Sequence, residues 1–306
     1  MPNRCACALL ALAVSLVLSS PLSAQTTGAE STTPVASTTT TSAAQAPDTT
    51  RPPEVQIDQT VVNLPTTLPL KRHHSYFRLT HRFTRDLGRG DFSELSQDLF
   101  GLDEGAIIGL EYRFGITNTI QAGVHRSILG KTINVFGKWD AWQESAGHPF
   151  GLSFVPSIEG QNNLRQDPQP GIAVTVSRSL GSWLVGYVSP AYVHNAHTAT
   201  LRAQHEGHEH EAGVEEANND ATDTTYIGVG ARIRFLPTVS FVAEAFPRLS
   251  GYQPGAVTYN YGIEKLTHGH VLQLNFGNNF DSTPGMIARG GNPGQVYLGF
   301  NLSRKW

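Results

Sequence analysis

Apolar and polar residues alternate with a period of two along most of the chain beyond about residue 60. Such alternation sends successive side chains to opposite faces of a β-strand, one face apolar and the other polar. Twelve stretches bounded by turn residues fit it: 75–85, 106–116, 119–128, 132–142, 150–158, 172–179, 183–192, 225–235, 239–246, 258–265, 271–278 and 295–304. Most are 8 to 11 residues long, the length a tilted strand needs to cross a bilayer. An even number of crossings returns the chain to the side on which it began. The pattern predicts an all-β fold, a closed antiparallel up-and-down transmembrane β-barrel of about 12 strands.

Connections between these stretches alternate in length. Short ones join even strands to odd ones at 115–118, 143–149, 180–182, 236–238 and 267–270, and longer ones fall at 86–105, 159–171, 193–224, 247–257 and 279–294. Residues 129–131 form the one tight turn on the long side. Outer-membrane barrels carry short periplasmic turns and longer outer loops, so both termini are expected in the periplasm. Phe114, Trp142, Phe150, Trp183, Phe235 and Trp306 all fall at strand ends on the short-turn side, where they would form an aromatic girdle at the membrane interface.

With the apolar register facing lipid, the opposite register faces the lumen. It holds Arg78, Arg82, Glu111, Arg113, Lys138, Asp140, Arg232, Arg234, Glu244 and Glu264, with Gln121, His125 and Asn134 beside them. A charged constriction that selects polar or anionic solutes and a network of ion pairs that fills the bore both fit this lining. Residues 183–192 alternate poorly and contain Pro190, which leaves their facing unassigned. Gly228 and Gly230, inside an alternating stretch, are expected to keep the lumen open.

The N-terminus has a different composition. Residues 1–24 carry one charge, Arg4, an apolar run over 8–18, and small residues at Ser23 and Ala24, as a secretory signal does. Both cysteines, Cys5 and Cys7, lie inside it, so the processed chain would have no thiol for a disulfide, a thiolate metal site or a nucleophile. Residues 25–59 are rich in Thr, Ser, Ala and Pro, with too little apolar surface to fold alone, and read as a disordered periplasmic linker ahead of a barrel at 60–306. A periplasmic partner for this linker stays open. The formal charge of −3 gives no nucleic-acid signature.

The long connection at 193–224 contains His194, His197, His205, His208 and His210 among several glutamates. Imidazole and carboxylate suit Zn²⁺, Ni²⁺ or Cu²⁺, although the spacing matches no defined metal motif. Loose metal capture and a solvated acidic loop both fit; no other cofactor is indicated. Nucleophile-elbow, phosphate-loop and dinucleotide patterns are absent in suitable contexts. His81, on the face of Phe77, Leu79 and Phe83, is the one candidate for an outward catalytic histidine of the outer-membrane phospholipase kind, and it has no matching serine. The chain is expected not to be an enzyme.

The last stretch sends Val296, Leu298, Phe300 and Leu302 to one face and Tyr297, Gly299, Asn301 and Ser303 to the other, then closes on Trp306. This ending resembles the terminal strand by which outer-membrane barrels are recognised by the barrel-insertion machinery. Val61-Val62-Asn63-Leu64-Pro65-Thr66-Thr67, His81-Arg82-Phe83 and 101–106 are similar to a family of bacterial membrane β-barrel proteins defined only as a domain of unknown function. The similarity continues through 112–117, Lys138-Trp139 and 299–301. That resemblance implies an outer-membrane barrel and brings no catalytic residues. The expected function is a narrow pore or transport component for small polar solutes in the outer membrane. The alternative is a non-conducting barrel that acts as a structural anchor or surface-binding protein.

Overall fold

The computed structural model describes residues 55–145, 147–196, 223–251 and 255–306. Thirteen strands form one antiparallel sheet: β1 (Ser75–Asp86), β2 (Ala106–Gly115), β3 (Ile120–Ser127), β4 (Ile133–Trp142), β5 (Gly151–Gly160), β6 (Gln166–Leu180), β7 (Leu184–Val193), β8 (Thr224–Leu236), β9 (Val239–Phe246), β10 (Arg248–Gly251), β11 (Thr258–Thr267), β12 (His270–Gly277) and β13 (Tyr297–Lys305). Sequential neighbours pair from β1 to β9 and from β11 to β13, β9 pairs with β11, β10 with β8, and β1 with β13, which closes the sheet. β9 and β10 act as one wall position interrupted at Pro247, a residue with no amide hydrogen to give the ladder; its carbonyl still accepts from Ile227. The wall is therefore a closed twelve-stranded barrel.

The barrel is inside-out relative to a soluble protein. Trp139 and Ile172 on the outer surface are 51% and 46% exposed, whereas Arg78 and Arg232 on the inner surface are 1% and 0% exposed. Water does not drive this arrangement; a hydrocarbon surround does, since an Arg or Lys on the lipid face would cost about 2–4 kcal/mol at the midplane. Trp142, Trp183, Phe235 and Trp306 ring the short-turn end, and Ser75 and Trp306 exchange backbone hydrogen bonds there. Both barrel ends of the chain thus leave from one rim.

Three features depart from the pattern read along the chain. The expected long connection over 159–171 is a tight turn at 161–165, because β5 runs on to Gly160 and β6 starts at Gln166. The connection at 278–296 folds inward and carries a short helix, α2 (Pro284–Arg289), whose Met286, Ile287 and Ala288 are buried; a six-residue helix, α1 (Phe92–Gln97), lies in the β1–β2 connection. Residues 55–70, expected as linker and barrel edge, lie buried inside the bore, with Gln59, Val61, Val62 and Thr66 wholly inaccessible. The signal-like stretch and residues 25–54 of the expected linker fall among residues outside those described.

Candidate functional site in the lumen

The segment 55–70 enters the barrel from the rim where β1 begins. His73 donates its backbone N–H to the Gly115 carbonyl there at 2.8 Å. Deeper in, the segment doubles back: Thr60 bridges to Pro65, Val61 N–H donates to the Leu64 carbonyl at 2.8 Å, and Thr66 N–H to the Gln59 carbonyl at 3.0 Å. The resulting tip, 61–64, has backbone groups that its own turn leaves unpaired. A buried peptide group must find a partner, and here the partners are side chains of the wall.

Glu244 on β9 accepts the N–H groups of Val62, Asn63 and Leu64, each at 2.9 Å, and Asn260 Nδ2 at 2.9 Å. The carboxylate fills the concave nest of amides at the tip. Carbonyls of the tip face cations and amides. Arg78 Nη1 donates to Val62 O at 2.7 Å and Thr60 Oγ1 at 2.8 Å, Arg232 Nη2 to Thr60 O at 2.9 Å, and Gln273 Nε2 to Val61 O at 2.7 Å. Nearer the rim, Lys138 Nζ donates to Leu68 O at 2.7 Å. The lumen charges also pair with one another: Arg78 with Glu111 at 2.9 Å, Arg113 with Glu111 at 2.6 Å, Lys138 with Asp140 at 2.8 Å, and Arg232 with Glu264.

Arg78, Arg82, Glu111, Arg113, Lys138, Asp140, Arg232, Glu244 and Glu264 are all buried within the bore. Arg234 is not: it is half-buried at the short-turn rim, where it donates to the Ser182 carbonyl. β7 turns Val185, Tyr187, Ala191 and Val193 inward, and these pack in one apolar cluster with Val61, Val62 and Leu64 of the inserted segment and Ile287 of α2. β7 alternates poorly for this reason, since its inner face touches protein rather than water. Gly228 and Gly230 do not hold an open channel either. A Cβ on them would lie 2.3 and 2.7 Å from the Leu64 methyl carbons.

From the opposite mouth the 278–296 connection reaches down. Thr283 Oγ1 and Gly285 N–H donate to Glu159 at 3.1 and 2.9 Å, Ser282 Oγ meets His125 Nε2 at 2.9 Å, and Arg289 donates to Gln169 Oε1 at 3.2 Å. Asp281 in this connection is 9% exposed and its Oδ2 has no hydrogen-bond partner. Burial, with Glu159 nearby, pushes its carboxyl up to about 8 against the pull of Arg289, Arg82 and Arg248. Sequence reading placed this connection outside and missed Glu159, Asp281 and Arg289; the cue was Met286-Ile287-Ala288, too apolar for a solvated loop.

His194 sits at the far mouth with Nδ1 2.7 Å from Asp223 Oδ1. His197, His205, His208 and His210 lie outside the described residues, and among the described residues no group of three or more His, Cys, Asp or Glu is placed to hold a metal ion. His81 stacks on Phe300 at 4.8 Å and packs against Phe83 at 4.5 Å, and its Nδ1 has no hydrogen-bond partner. A catalytic histidine needs an orienting acceptor and a nucleophile in reach; this one has aromatic rings.

Residues 58–306 match the model of a family described as a membrane bound beta barrel domain (DUF5777). No curated protein sequence matches the chain. Among solved structures, the KdgM porin aligns at 9% identity and a TM-score of 0.45, covering 76% of this chain and 98% of its own. An outer membrane channel from Pseudomonas putida F1 aligns at 9% identity and a TM-score of 0.46, covering 78% and 97%. Outer membrane phospholipase A from Escherichia coli aligns at 10% identity and a TM-score of 0.38, covering 82% and 95%.

Proposed function

As the chain belongs to the membrane-bound β-barrel domain family, we propose that it is an outer-membrane conduit for small polar solutes, closed at rest by its own residues 55–70. The observation that carries this reading is the division of labour in the lumen. The twelve-stranded wall closes without the inserted segment, and the polar groups of that wall bind the segment chiefly through its backbone. Withdrawal of the segment would leave a bore lined by Arg78, Lys138, Arg232, Glu244 and Glu264, all hydratable. Selection would then follow from side-chain charge, as in other charged constrictions. The short turns and aromatic girdle on the side of Ser75 and Trp306 support periplasmic termini.

Single-channel recording in planar bilayers tests the proposal. The full chain should be almost silent, and a chain lacking residues 25–70 should give discrete steps whose ion selectivity changes in Arg232→Ala. A second reading, a non-conducting anchor, draws on the completeness of the hydrogen bonding between segment and wall. It prevails if the shortened chain migrates as a folded, heat-modifiable barrel yet carries no current.

A further inference from the structure

Between the tip of the inserted segment, the inner faces of β2 and β4, and α2 lies a cavity of about 50 Å³. At roughly 10–15 Å³ per water it has room for about three to five waters or one small organic molecule. Hydrogen-bonding capacity around it is unbalanced. Arg113 gives Nε to Glu111 at 2.6 Å, and its guanidinium lies 4.8 Å from the Phe136 ring centre and 5.4 Å from that of Tyr76. Among the described residues its two Nη atoms have no acceptor. Arg78 commits both Nη atoms to Thr60, Val62 and Glu111, and its buried Nε is unpaired. Asn63 accepts from Arg82 at Oδ1, which fixes its amide orientation, and leaves the buried Nδ2 unpaired.

The acceptor side is poor. Glu111 is the one carboxylate on the cavity wall, and its two oxygens are already taken by Arg113 and Arg78. Asn134 Oδ1 is a buried acceptor without a partner. On the cavity wall two guanidinium groups facing one carboxylate leave one positive charge, and the buried Arg78 Nε and Asn63 Nδ2 lie beside it without partners, where unpaired donors are costly. The remaining wall includes Leu64, Phe136, Phe246 and Ile287. We infer that this cavity is a binding site for a small organic monoanion, a short aliphatic carboxylate, whose charged end takes the free donors of Arg113 and Asn63 while its alkyl end meets the apolar wall. Naming that anion as cargo rests on the conduit reading; the binding itself does not.

The test uses the full chain folded in detergent micelles, with acetate and propionate as probes, followed by saturation-transfer NMR. The expected result is saturable binding of both, with at least tenfold weaker binding of the neutral isostere acetamide. Arg113→Gln should weaken acetate binding at least tenfold. Ala173→Leu, which fills the cavity and alters no charge, should do the same, so a folding defect in the first variant does not leave the site untested. No saturable acetate signal, equal binding of acetamide, or unchanged binding in a folded Ala173→Leu chain overturns the site. Displacement of acetate by equimolar chloride overturns the carboxylate assignment. Absence of current from the shortened chain would remove the conduit reading alone.

Discussion

Leu64 occupies the space above Gly228: a Cβ added to the glycine would stand 2.3 Å from Leu64 Cδ1. The inserted segment and the wall are fitted to one another at this point by the absence of a side chain. Gly228→Val should therefore push the tip out of its seat while leaving the strand, whose β propensity valine suits, in the barrel. Expected is a folded barrel with more frequent channel openings than the parent, and partial return of closure when Leu64→Ala is added. Unchanged silence from a folded Gly228→Val barrel would show that the tip does not govern passage.

The Glu244 carboxylate is the strongest single hold on the tip, with three backbone donors at 2.9 Å. Hydrogen bonds to a charged group contribute about 1.5–3 kcal/mol each, and a neutral amide of the same shape turns a donor toward other donors. Glu244→Gln should raise hydrogen exchange in peptides spanning 58–68 roughly tenfold or more, with little change in β1 or β13. Uniformly faster exchange would instead point to a loss of barrel stability.

The wall was readable because hydrocarbon outside and polar atoms inside impose a two-residue period, and strands such as β2 and β4 obey it residue by residue. Nothing periodic marks 58–70. Its contacts are made to residues such as Glu244 and Gln273, 180 and 212 positions away from Leu64 and Val61, and a single sequence does not display such pairings. The one trace was β7, whose inward Val185, Tyr187 and Ala191 spoil the alternation because they pack on the segment. Val61 to Thr67, quoted above for its family resemblance, holds the tip and the start of the returning arm. Arg234 illustrates the converse error: correct register, but too near the strand end to reach the bore.

Arg232 and Glu264 form a wholly buried pair, tied further to Tyr187 and to the Thr60 carbonyl. Removal of one partner leaves a buried charge uncompensated, at a cost of about 3–5 kcal/mol. Arg232→Met should lower the urea midpoint of the micelle-folded chain accordingly. The double variant Arg232→Met, Glu264→Leu should recover most of that loss. A double variant no better than the single one would assign the effect to lost contacts with the inserted segment rather than to the orphaned carboxylate.

Asp281 couples the inward connection to pH. Its carboxyl is raised from the usual carboxylate range to about 8, chiefly by burial, with Glu159 adding to the rise and Arg289, Arg82 and Arg248 opposing it. The folded connection therefore holds a proton that the unfolded one releases near pH 4. Between those values the packed form binds more protons, so its stability declines as pH rises from about 4 and is least above about 8. Proteolysis within 278–296 should accordingly quicken from pH 6 to pH 9. Asp281→Asn keeps the shape and removes the titration, so cleavage should become nearly independent of pH and slower than the parent at pH 9. A variant that keeps the parent's pH profile would transfer the effect to another titratable group in contact with this connection, such as Glu159, His125 or Asp86.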